Sequence, residues 1–246
     1  MISTKINPLS IRRTQIINLI NEGYSINKIS KILHVNKSTI YYHYKKIKGK
    51  LKKEVTIRRD DSLIGEFIGL FAGDGCFYKT KNYCYRIYLF FNIKESEYVK
   101  NLINILFNLF NKKPYIFKRE NRLIILYTSK EIYNLIKEYL IWDKHKRKTH
   151  TVSLINKKYS KKFKISFLRG CVDSDGYISS KKINFATSSL RLAKNIKNFL
   201  SDLDINFYYS IYKEKRPNRV YMHHIDIRVS ERSRFFNIIH PRNLKI

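Results

Sequence analysis

The spacing of hydrophobic and polar residues divides the 246-residue chain into two parts. In the first fifty residues, apolar side chains recur at helical spacing in three short stretches. They predict helices over residues 10–21, 26–33 and 37–46, with Gly23 ending the first and a tight turn at 34–36 before the third. This part is expected to be a small helical unit.

Beyond residue 62 the pattern changes between helical and strand spacing, and the same order of elements occurs twice. Each copy starts with an apolar helix that ends in Asp-Gly and finishes with a helix after a serine, Ser129 or Ser230, predicted as its N-cap. The first copy continues with a strand at 83–92, a helix at 95–110, strands at 114–118 and 122–128, and a helix at 131–140. The second continues with a strand at 182–186, a helix at 190–203, strands at 206–212 and 220–229, and a helix at 231–239. The repeat predicts an α+β fold made of two similar halves.

Small residues line one side of both apolar helices. They recur every fourth position, at Gly65, Gly69 and Gly73 in the first helix and at Gly170 and Ser174 in the second. Glycine inside a helix costs about 0.5 to 1 kcal/mol relative to alanine, so three on one face need a packing reason. We expect the two helices to pack closely against each other, side by side and parallel.

Parallel packing brings two acids together, because Asp74 and Asp175 end the two helices. Gly75 and Gly176 follow them and are suited to a left-handed C-cap. A carboxylate at a helix C-terminus is disfavoured by the dipole, and two carboxylates repel each other, so a cation is expected beside them. Hard oxygen ligands select Mg²⁺ or a similar ion such as Mn²⁺, and two such ions can promote phosphodiester cleavage.

Residues 67–75 and 168–176 resemble the nine-residue signature of the LAGLIDADG homing endonucleases. The second copy is close, whereas the first has Ala72 where the second keeps an acid, Asp173. The resemblance implies two pseudo-symmetric αββαββα repeats, at 62–150 and 164–246, that form one monomeric DNA-binding saddle. It also implies a metal-dependent endonuclease that cuts across the minor groove and leaves short 3′ overhangs, with Asp74 and Asp175 as catalytic metal ligands.

The resemblance further implies basic residues near the metal that orient water and steady the phosphate. Lys94 matches one such place, and Lys144 and Lys146 follow the closing helix of the first repeat at another. Lys245 lies near the corresponding place in the second repeat. Each of these lysines has a simpler alternative role as a phosphate anchor.

The charge balance favours a nucleic-acid partner. Lys and Arg number 50 against 19 Asp and Glu, a formal net charge of +31, and the sequence pI is about 10.0. Self-repulsion at this charge favours a polyanion, which we expect to be double-stranded DNA, with intron RNA as an alternative. A solvated linker in a lysine-rich proteome is the alternative interpretation of any single basic run.

Residues 25–40 resemble the helix-turn-helix of resolvase-like and transcription-factor proteins. We therefore predict a helix-turn-helix domain at 1–48, a basic linker at 49–61 and the endonuclease domain at 62–246. Ile40 of the third helix faces inward, and the residues offered to a major groove are Lys37, Ser38, Thr39, Tyr42 and His43. A protein contact is the alternative use of such a bundle.

Period-two alternation predicts which strand residues face DNA. At 220–229 the more polar set is Met222, His224, Asp226 and Arg228, and the same logic selects Lys182 and Asn184, and Arg86 with Tyr88. An ordinary half-exposed sheet is the alternative.

The leading hypothesis is a site-specific endonuclease that cuts both DNA strands. A regulator of the same fold that has lost cleavage, or an intron RNA maturase, is the alternative. No apolar run reaches the roughly 18 residues needed to span a bilayer, and the three cysteines lack a pairing or zinc spacing. We therefore expect a monomeric, cytoplasmic, nucleoid-associated protein without a membrane partner.

Overall fold

The computed structural model describes residues 8–49, 55–80, 84–180, 182–213 and 220–243. The chain divides into two compact units, Met1–Glu54 and Val55–Ile246. None of the helices in the described ranges is long and apolar enough to cross a membrane.

The first unit is a three-helix bundle of α1 (Pro8–Asn21), α2 (Ile26–Leu33) and α3 (Lys37–Lys48). Its buried core consists of isoleucines contributed by all three helices: Ile16, Ile20, Ile29 and Ile40. Gly23 adopts φ +84° in the turn after α1, and Ser25 caps α2 by accepting a bond from the Lys28 backbone N–H. The α-helical prediction and the inward position of Ile40 are confirmed.

The second unit alternates helices and strands from Asp61 onward. The bounds in chain order are α4 (Asp61–Asp74), β1 (Gly75–Lys79), β2 (Tyr85–Asn92), α5 (Ser96–Phe110), β3 (Tyr115–Arg119), β4 (Arg122–Thr128), α6 (Lys130–Tyr139), β5 (Leu140–Ile141), α7 (Lys148–Thr151), β6 (Ser153–Leu154), α8 (Lys161–Asp175), β7 (Tyr177–Ile178), β8 (Ile183–Thr187), α9 (Leu190–Asp202), β9 (Phe207–Lys213), β10 (Tyr221–Ile227) and α10 (Arg232–Ile239). Short 3₁₀ turns at Ile93–Glu95 and Val229–Glu231 precede α5 and α10.

Two antiparallel sheets of the same topology confirm the predicted repeat. Within the described residues, four strands run in the order β1-β2-β4-β3 in the first half and β7-β8-β10-β9 in the second. The inner face of each sheet is apolar, as in β2, where Ile87, Leu89 and Phe91 are buried against one continuous core. The strand that directly follows each Asp-Gly, β1 or β7, was not placed by the sequence pattern.

Helices α4 and α8 pack in parallel at backbone contact, as the small residues predicted. A Cβ added to Gly65 would lie 2.6 Å from the Phe163 carbonyl oxygen, one on Gly69 2.3 Å from that of Phe167, and one on Gly170 2.2 Å from that of Glu66. Real Cβ atoms do not approach backbone so closely, so these positions require glycine. The contacts advance together along both helices, which establishes the parallel direction.

Two sequence predictions about helix ends are wrong. Gly75 and Gly176 are not left-handed but extended, with φ −89° and −77°. Glycine is required there because a Cβ would meet the Phe71 ring at 2.3 Å or the Val172 carbonyl at 2.4 Å. Ser230 does not cap α10 either, since it lies inside the preceding 3₁₀ turn, whereas Ser129 does cap α6 through the Ile132 N–H.

The segment before α4 belongs to the second unit. Val55 is buried, and the backbone N–H groups of Thr56 and Arg58 donate to the carbonyls of Phe110 and Leu109. Asp60 then caps α4 by accepting bonds from the backbone of the first helical turn. This part of the predicted linker is therefore fixed against the end of α5.

Candidate active site and nucleic-acid interface

The C-terminal ends of α4 and α8 place the two motif acids beside each other. Gly73, next to Asp74, lies against the last turn of α8, and a Cβ there would be 2.8 Å from Oδ2 of Asp175. Asp74 is half-buried and Asp175 is exposed, so both side chains are accessible to solvent. The parallel helices deliver two carboxylates to one end of the interface.

Lys148, the first residue of α7, supplies a cation at this end. Its Nζ donates to three consecutive carbonyls of the last turn of α4, those of Phe71 at 2.6 Å, Ala72 at 2.8 Å and Gly73 at 3.0 Å. An ammonium at a helix C-terminus complements the dipole and adds a donor to the carbonyls of the last turn. Lys148 thus supplies one positive charge at this end, from another part of the same repeat.

Two opposite effects act on the pKa of Lys148. Burial lowers its pKa to about 8, while the negative charges of Asp175 and Asp74 act in the opposite sense and favour the protonated form. Both carboxylates therefore lie within electrostatic range of one partly buried lysine. The three groups form a compact charged cluster.

The end of α8 is capped differently. Asn243 donates its side-chain N–H to the carbonyl of Asp173 at 2.9 Å, and the backbone N–H groups of Arg242 and Asn243 donate to Oδ1 of Asp173. In both repeats a residue beyond the closing helix caps the motif helix, but it is a lysine in one and an asparagine in the other. The two ends of the site are therefore chemically unequal.

A buried ion cluster lies farther back along the helix pair. Glu66 of α4 pairs with Arg169 of α8 at 3.1 Å and with Arg242 at 3.0 Å, and Arg169 also donates to the Ile239 carbonyl at 2.7 Å. A buried carboxylate needs such partners. The cluster ties the motif helices to the chain after α10.

An open cavity of about 710 Å³ begins at Asp74. Its walls come from the end of α4, the start of β1, the end of β2, the start of β4 and the start of α7: Gly73, Asp74, Gly75, Cys76, Phe90, Phe91, Asn92, Arg122, Arg147, Lys148 and Thr149. The acid and the lysine thus face a space that carries further positive charge from Arg122 and Arg147.

Three of the lysines predicted from the family pattern are exposed and are not among the residues that line this cavity. Lys94 is exposed in the 3₁₀ turn after β2, and Lys144 and Lys146 are exposed in the segment before α7. Lys245 falls outside the described residues. A catalytic role for Lys94, Lys144 and Lys146 stays a prediction.

The donor set suits a hard divalent ion that shares its coordination with other oxygen ligands. Among the residues that the structure describes, no group of three or more His, Cys, Asp or Glu side chains could hold a metal alone. Two carboxylates in one place leave the remaining coordination positions of the ion to water or phosphate oxygens, which is how Mg²⁺ is usually bound. The residues therefore fit Mg²⁺ or Mn²⁺ bound together with a phosphate substrate.

The predicted polar face of the second sheet is a connected network. Lys182 Nζ lies 2.9 Å from Oδ1 of Asp226, Asn184 donates to the same oxygen at 2.8 Å, and His224 Nδ1 is 3.4 Å from the Asn184 side-chain oxygen. The Arg228 guanidinium lies 4.6 Å from the centre of the Tyr208 ring. Asn184 is buried, His224 and Asp226 are partly buried, and Lys182 and Arg228 are exposed.

Arg86 and Tyr88 lie on the outer face of the first sheet, opposite the buried Ile87. In the first unit, α3 exposes Lys37, Ser38, Thr39 and Tyr42, and His43 is half-buried with its ring 5.3 Å from that of Tyr42. These predicted residues occupy accessible surfaces. Contact with DNA itself stays a prediction for all of them.

Sequence reasoning missed Lys148 and placed Asp226 only as a member of the predicted DNA-facing set. Lys148 stands in the basic run at 144–164, where nothing in the local pattern separates it from its neighbours. Its position at the site is evident only from its hydrogen bond to the carbonyl of Phe71, which lies 77 residues earlier in the sequence. The contacts of Asp226 with Lys182 and Asn184 explain why an acid lies among the polar residues of this face.

Two parts of the chain match known families. Residues 162–240 match the LAGLIDADG-like domain, and residues 7–55 match the bacterial regulatory proteins of the luxR family. The uncharacterized protein MJ0398 of Methanocaldococcus jannaschii is 26% identical over 234 residues, which cover 85% of this chain and 79% of that protein.

The architecture also matches solved structures at low sequence identity. The structure of I-DmoI in complex with DNA and Mn aligns with a TM-score of 0.57 and 16% identity, over 73% of this chain and 96% of that one. I-WcaI bound to its DNA recognition sequence aligns with a TM-score of 0.51 and 13% identity, over 76% and 84% of the two chains. At this identity the likeness establishes the fold.

Proposed function

The chain carries a LAGLIDADG-like domain with the fold of the LAGLIDADG homing endonucleases, preceded by a helix-turn-helix domain, and we propose that it is a site-specific endonuclease that cuts both strands of DNA. The observation that carries the proposal is the charged cluster at the ends of α4 and α8. There Asp74, Asp175 and Lys148 meet at the mouth of an open cavity.

Asp74 and Asp175 would hold Mg²⁺ or Mn²⁺ together with phosphate oxygens. When bound, such ions activate water and stabilise the leaving oxygen in phosphodiester hydrolysis. I-DmoI, which shares the fold, has been crystallised with DNA and Mn. In this chain the close approach permitted by Gly69, Gly73 and Gly170 keeps the two carboxylates at one place.

Lys148 positions positive charge where a phosphate would lie. Its three bonds to the end of α4 fix the ammonium, so little reorganisation is needed when negative charge develops on a transferred phosphate. Asn243 provides no such charge at the end of α8. We therefore propose that the two strands are cleaved at unequal rates, with Lys94, Lys144 and Lys146 acting as additional phosphate contacts.

The target would be long because two surfaces can read it. The outer faces of the two sheets present Arg86, Tyr88, Lys182, His224 and Arg228 together with the buried Asn184, and α3 presents Lys37, Ser38, Thr39, Tyr42 and His43. The large excess of Lys and Arg would supply the nonspecific part of the affinity, which falls with salt. Double-stranded DNA is the expected partner of both units.

The proposal is tested by incubating the full-length protein with a plasmid library and Mg²⁺ and then sequencing the DNA ends. We expect ends to accumulate at one long motif, with short 3′ overhangs. EDTA should abolish the ends, and Mn²⁺ should restore them. Absence of recurrent ends with every divalent ion tested would contradict an endonuclease.

The second candidate is a DNA-binding regulator, favoured by the match of residues 7–55 to bacterial regulatory proteins. It predicts tight, sequence-selective binding without cleavage. The same library separates the two functions when bound DNA is recovered and sequenced alongside the cut ends.

A further inference from the structure

The two sheets can be compared position by position. Cys76 and Tyr177 each follow the glycine after a motif acid, and they pair with Tyr88 and Asn184. From this starting point the registers run in step, because Tyr88 pairs with Leu126 as Asn184 pairs with Asp226. Two residues farther along these strands, Phe90 pairs with Ile124 as Ala186 pairs with His224.

The equivalent positions differ sharply in chemistry. On the central strands of the first sheet the outward residues are Tyr88, Phe90, Ile124 and Leu126, and their counterparts in the second sheet are Asn184, Ala186, His224 and Asp226. On the outer strands Phe117 opposite Ile124 corresponds to Ser210 opposite His224, whereas Tyr115 corresponds to another exposed tyrosine, Tyr208. The contrast therefore lies in the middle of the two faces, where the first sheet has large apolar residues and the second has mostly hydrogen-bonding groups.

The apolar face is ordered and accessible. The Tyr88 and Phe90 rings lie 6.0 Å apart and almost parallel, and those of Tyr115 and Phe117 lie 5.6 Å apart. Tyr115 is 66% exposed and Tyr78, on β1, is 60% exposed. We call the set of Tyr78, Tyr88, Phe90, Tyr115 and Phe117 the aromatic face.

Arginines surround this aromatic face. Arg86 flanks Tyr88 on the same strand, and Arg119 lies directly opposite Arg122 at the other end of β3 and β4. Like charges in directly opposed positions of a sheet are destabilising, and a bound polyanion removes that cost. Phe90 and Arg122 also line the cavity at Asp74, so the aromatic face is continuous with the proposed cleavage site.

We propose that the aromatic face reads a thymine-rich half-site through apolar contact with the C5-methyl groups of thymine. The inference rests on the proposed function, because it requires duplex DNA along the outer faces of the sheets. In the major groove the thymine methyl is the apolar feature of the bases, and the other three bases present polar groups there. Flanking arginines suit the phosphates on either side.

Removing only the methyl groups tests this directly. The preferred duplex is first selected by binding of the full-length protein, without divalent ions, from a random library. Deoxyuridine then replaces thymine in one half-site at a time, which keeps the base pairing and deletes the methyl. We expect the affinity to fall about four-fold for each contacted methyl in one half-site, and little in the other.

Two variants connect the effect to the aromatic face. Phe117→Ser installs the residue of the equivalent position in the second repeat and should remove part of the deoxyuridine penalty in the sensitive half-site. Tyr212→Ser, an exposed aromatic residue on the outer strand of the second sheet, is the matched control and should leave that penalty unchanged. Thermal unfolding of both variants checks that the fold is retained.

The possible outcomes are distinct. If no duplex is selected, both the proposed function and this inference fail. If a duplex is selected but deoxyuridine is tolerated throughout, the proposed function stands and the thymine assignment is overturned. Equal deoxyuridine penalties in both half-sites would also overturn the thymine assignment. So would tighter binding of single-stranded than of duplex DNA that is lost in Phe117→Ser, because that result would indicate base stacking.

Discussion

Among single residues, Lys148 links the fold to the proposed chemistry. Its ammonium holds the last turn of α4 and faces both motif acids. Replacing it with methionine should lower the cleavage rate by about 10² to 10³, the usual effect of losing one preorganised charge-stabilising donor. The rate is measured in single-turnover conditions on the selected site.

Two further variants separate chemistry from helix capping. Lys148→Asn substitutes the residue type that caps α8 and should retain more stability than Lys148→Met, with a similar loss of cleavage. Lys146→Met removes an exposed lysine two positions away and should have a small effect. A larger loss in Lys146→Met than in Lys148→Met would assign the chemistry to the lysine predicted from the family pattern.

Asp173 should make stability depend on pH. Burial raises its pKa to about 7, although the backbone N–H groups of Asn243 and Arg242 lower it, whereas an unfolded aspartate titrates near 3.9. Between about pH 4 and pH 7 the folded chain keeps a proton that the unfolded chain has lost, so this group makes the protein less stable as pH rises.

Asp173→Asn removes the titration and keeps an oxygen that accepts the same two backbone bonds. The stability of this variant relative to the parent should increase from pH 4 to pH 7, by a few kcal/mol at most, and then level off. Denaturant unfolding in EDTA measures the difference. A stability difference that stays constant over this range would show that Asp173 is ionised throughout in the folded state.

Arg228 is expected to read a base edge. Arg228→Ala should relax the preference at one base pair by about 1 to 3 kcal/mol, as measured by binding to all four sequences at each position. Arg232, which lies over Phe236 on α10, is the control and should not change any preference when replaced by alanine. A uniform loss over all sequences would make Arg228 a phosphate contact.

At the scale of elements, the parallel contact of α4 and α8 organises the second unit. Gly69→Ala would place a methyl 2.3 Å from the Phe167 carbonyl and should destabilise the protein by about 1 to 3 kcal/mol, because backbone cannot yield as a side chain can. Asn108→Ala, at an exposed position of α5, is the control and should not destabilise. Thermal unfolding compares them, and an unchanged Gly69→Ala would contradict backbone contact.

The sequence predicted these elements well where the signal is local. Period and caps located most helices and strands to within a few residues, and the glycine spacing identified the helix partner. The short strands β1 and β7 were not predicted because Gly75 and Gly176 resemble residues that end a helix. In the fold, glycine is required at these positions because a Cβ would clash with Phe71 or Val172. The sequence pattern did not identify Lys148 because the path of the chain after α6 is set by tertiary packing.

At the scale of the whole molecule, internal repetition and asymmetry occur together. The two halves share strand order, register and the paired acids, yet they differ in the residue that caps each motif helix and in the outer faces of the sheets. A symmetric framework with unequal surfaces suits a long target without twofold symmetry. The net charge of +31 adds affinity for any DNA, so sequence preference should be measured at physiological salt.

The most direct test of the account is cleavage of a plasmid that carries the selected site by the parent protein, Asp74→Asn and Asp175→Asn, with Mg²⁺ and with binding measured in parallel. We predict that the parent linearises the plasmid, and that each substitution abolishes linearisation while affinity for the site changes little. Linearisation at the parental rate by either variant would contradict a shared site built from these two acids.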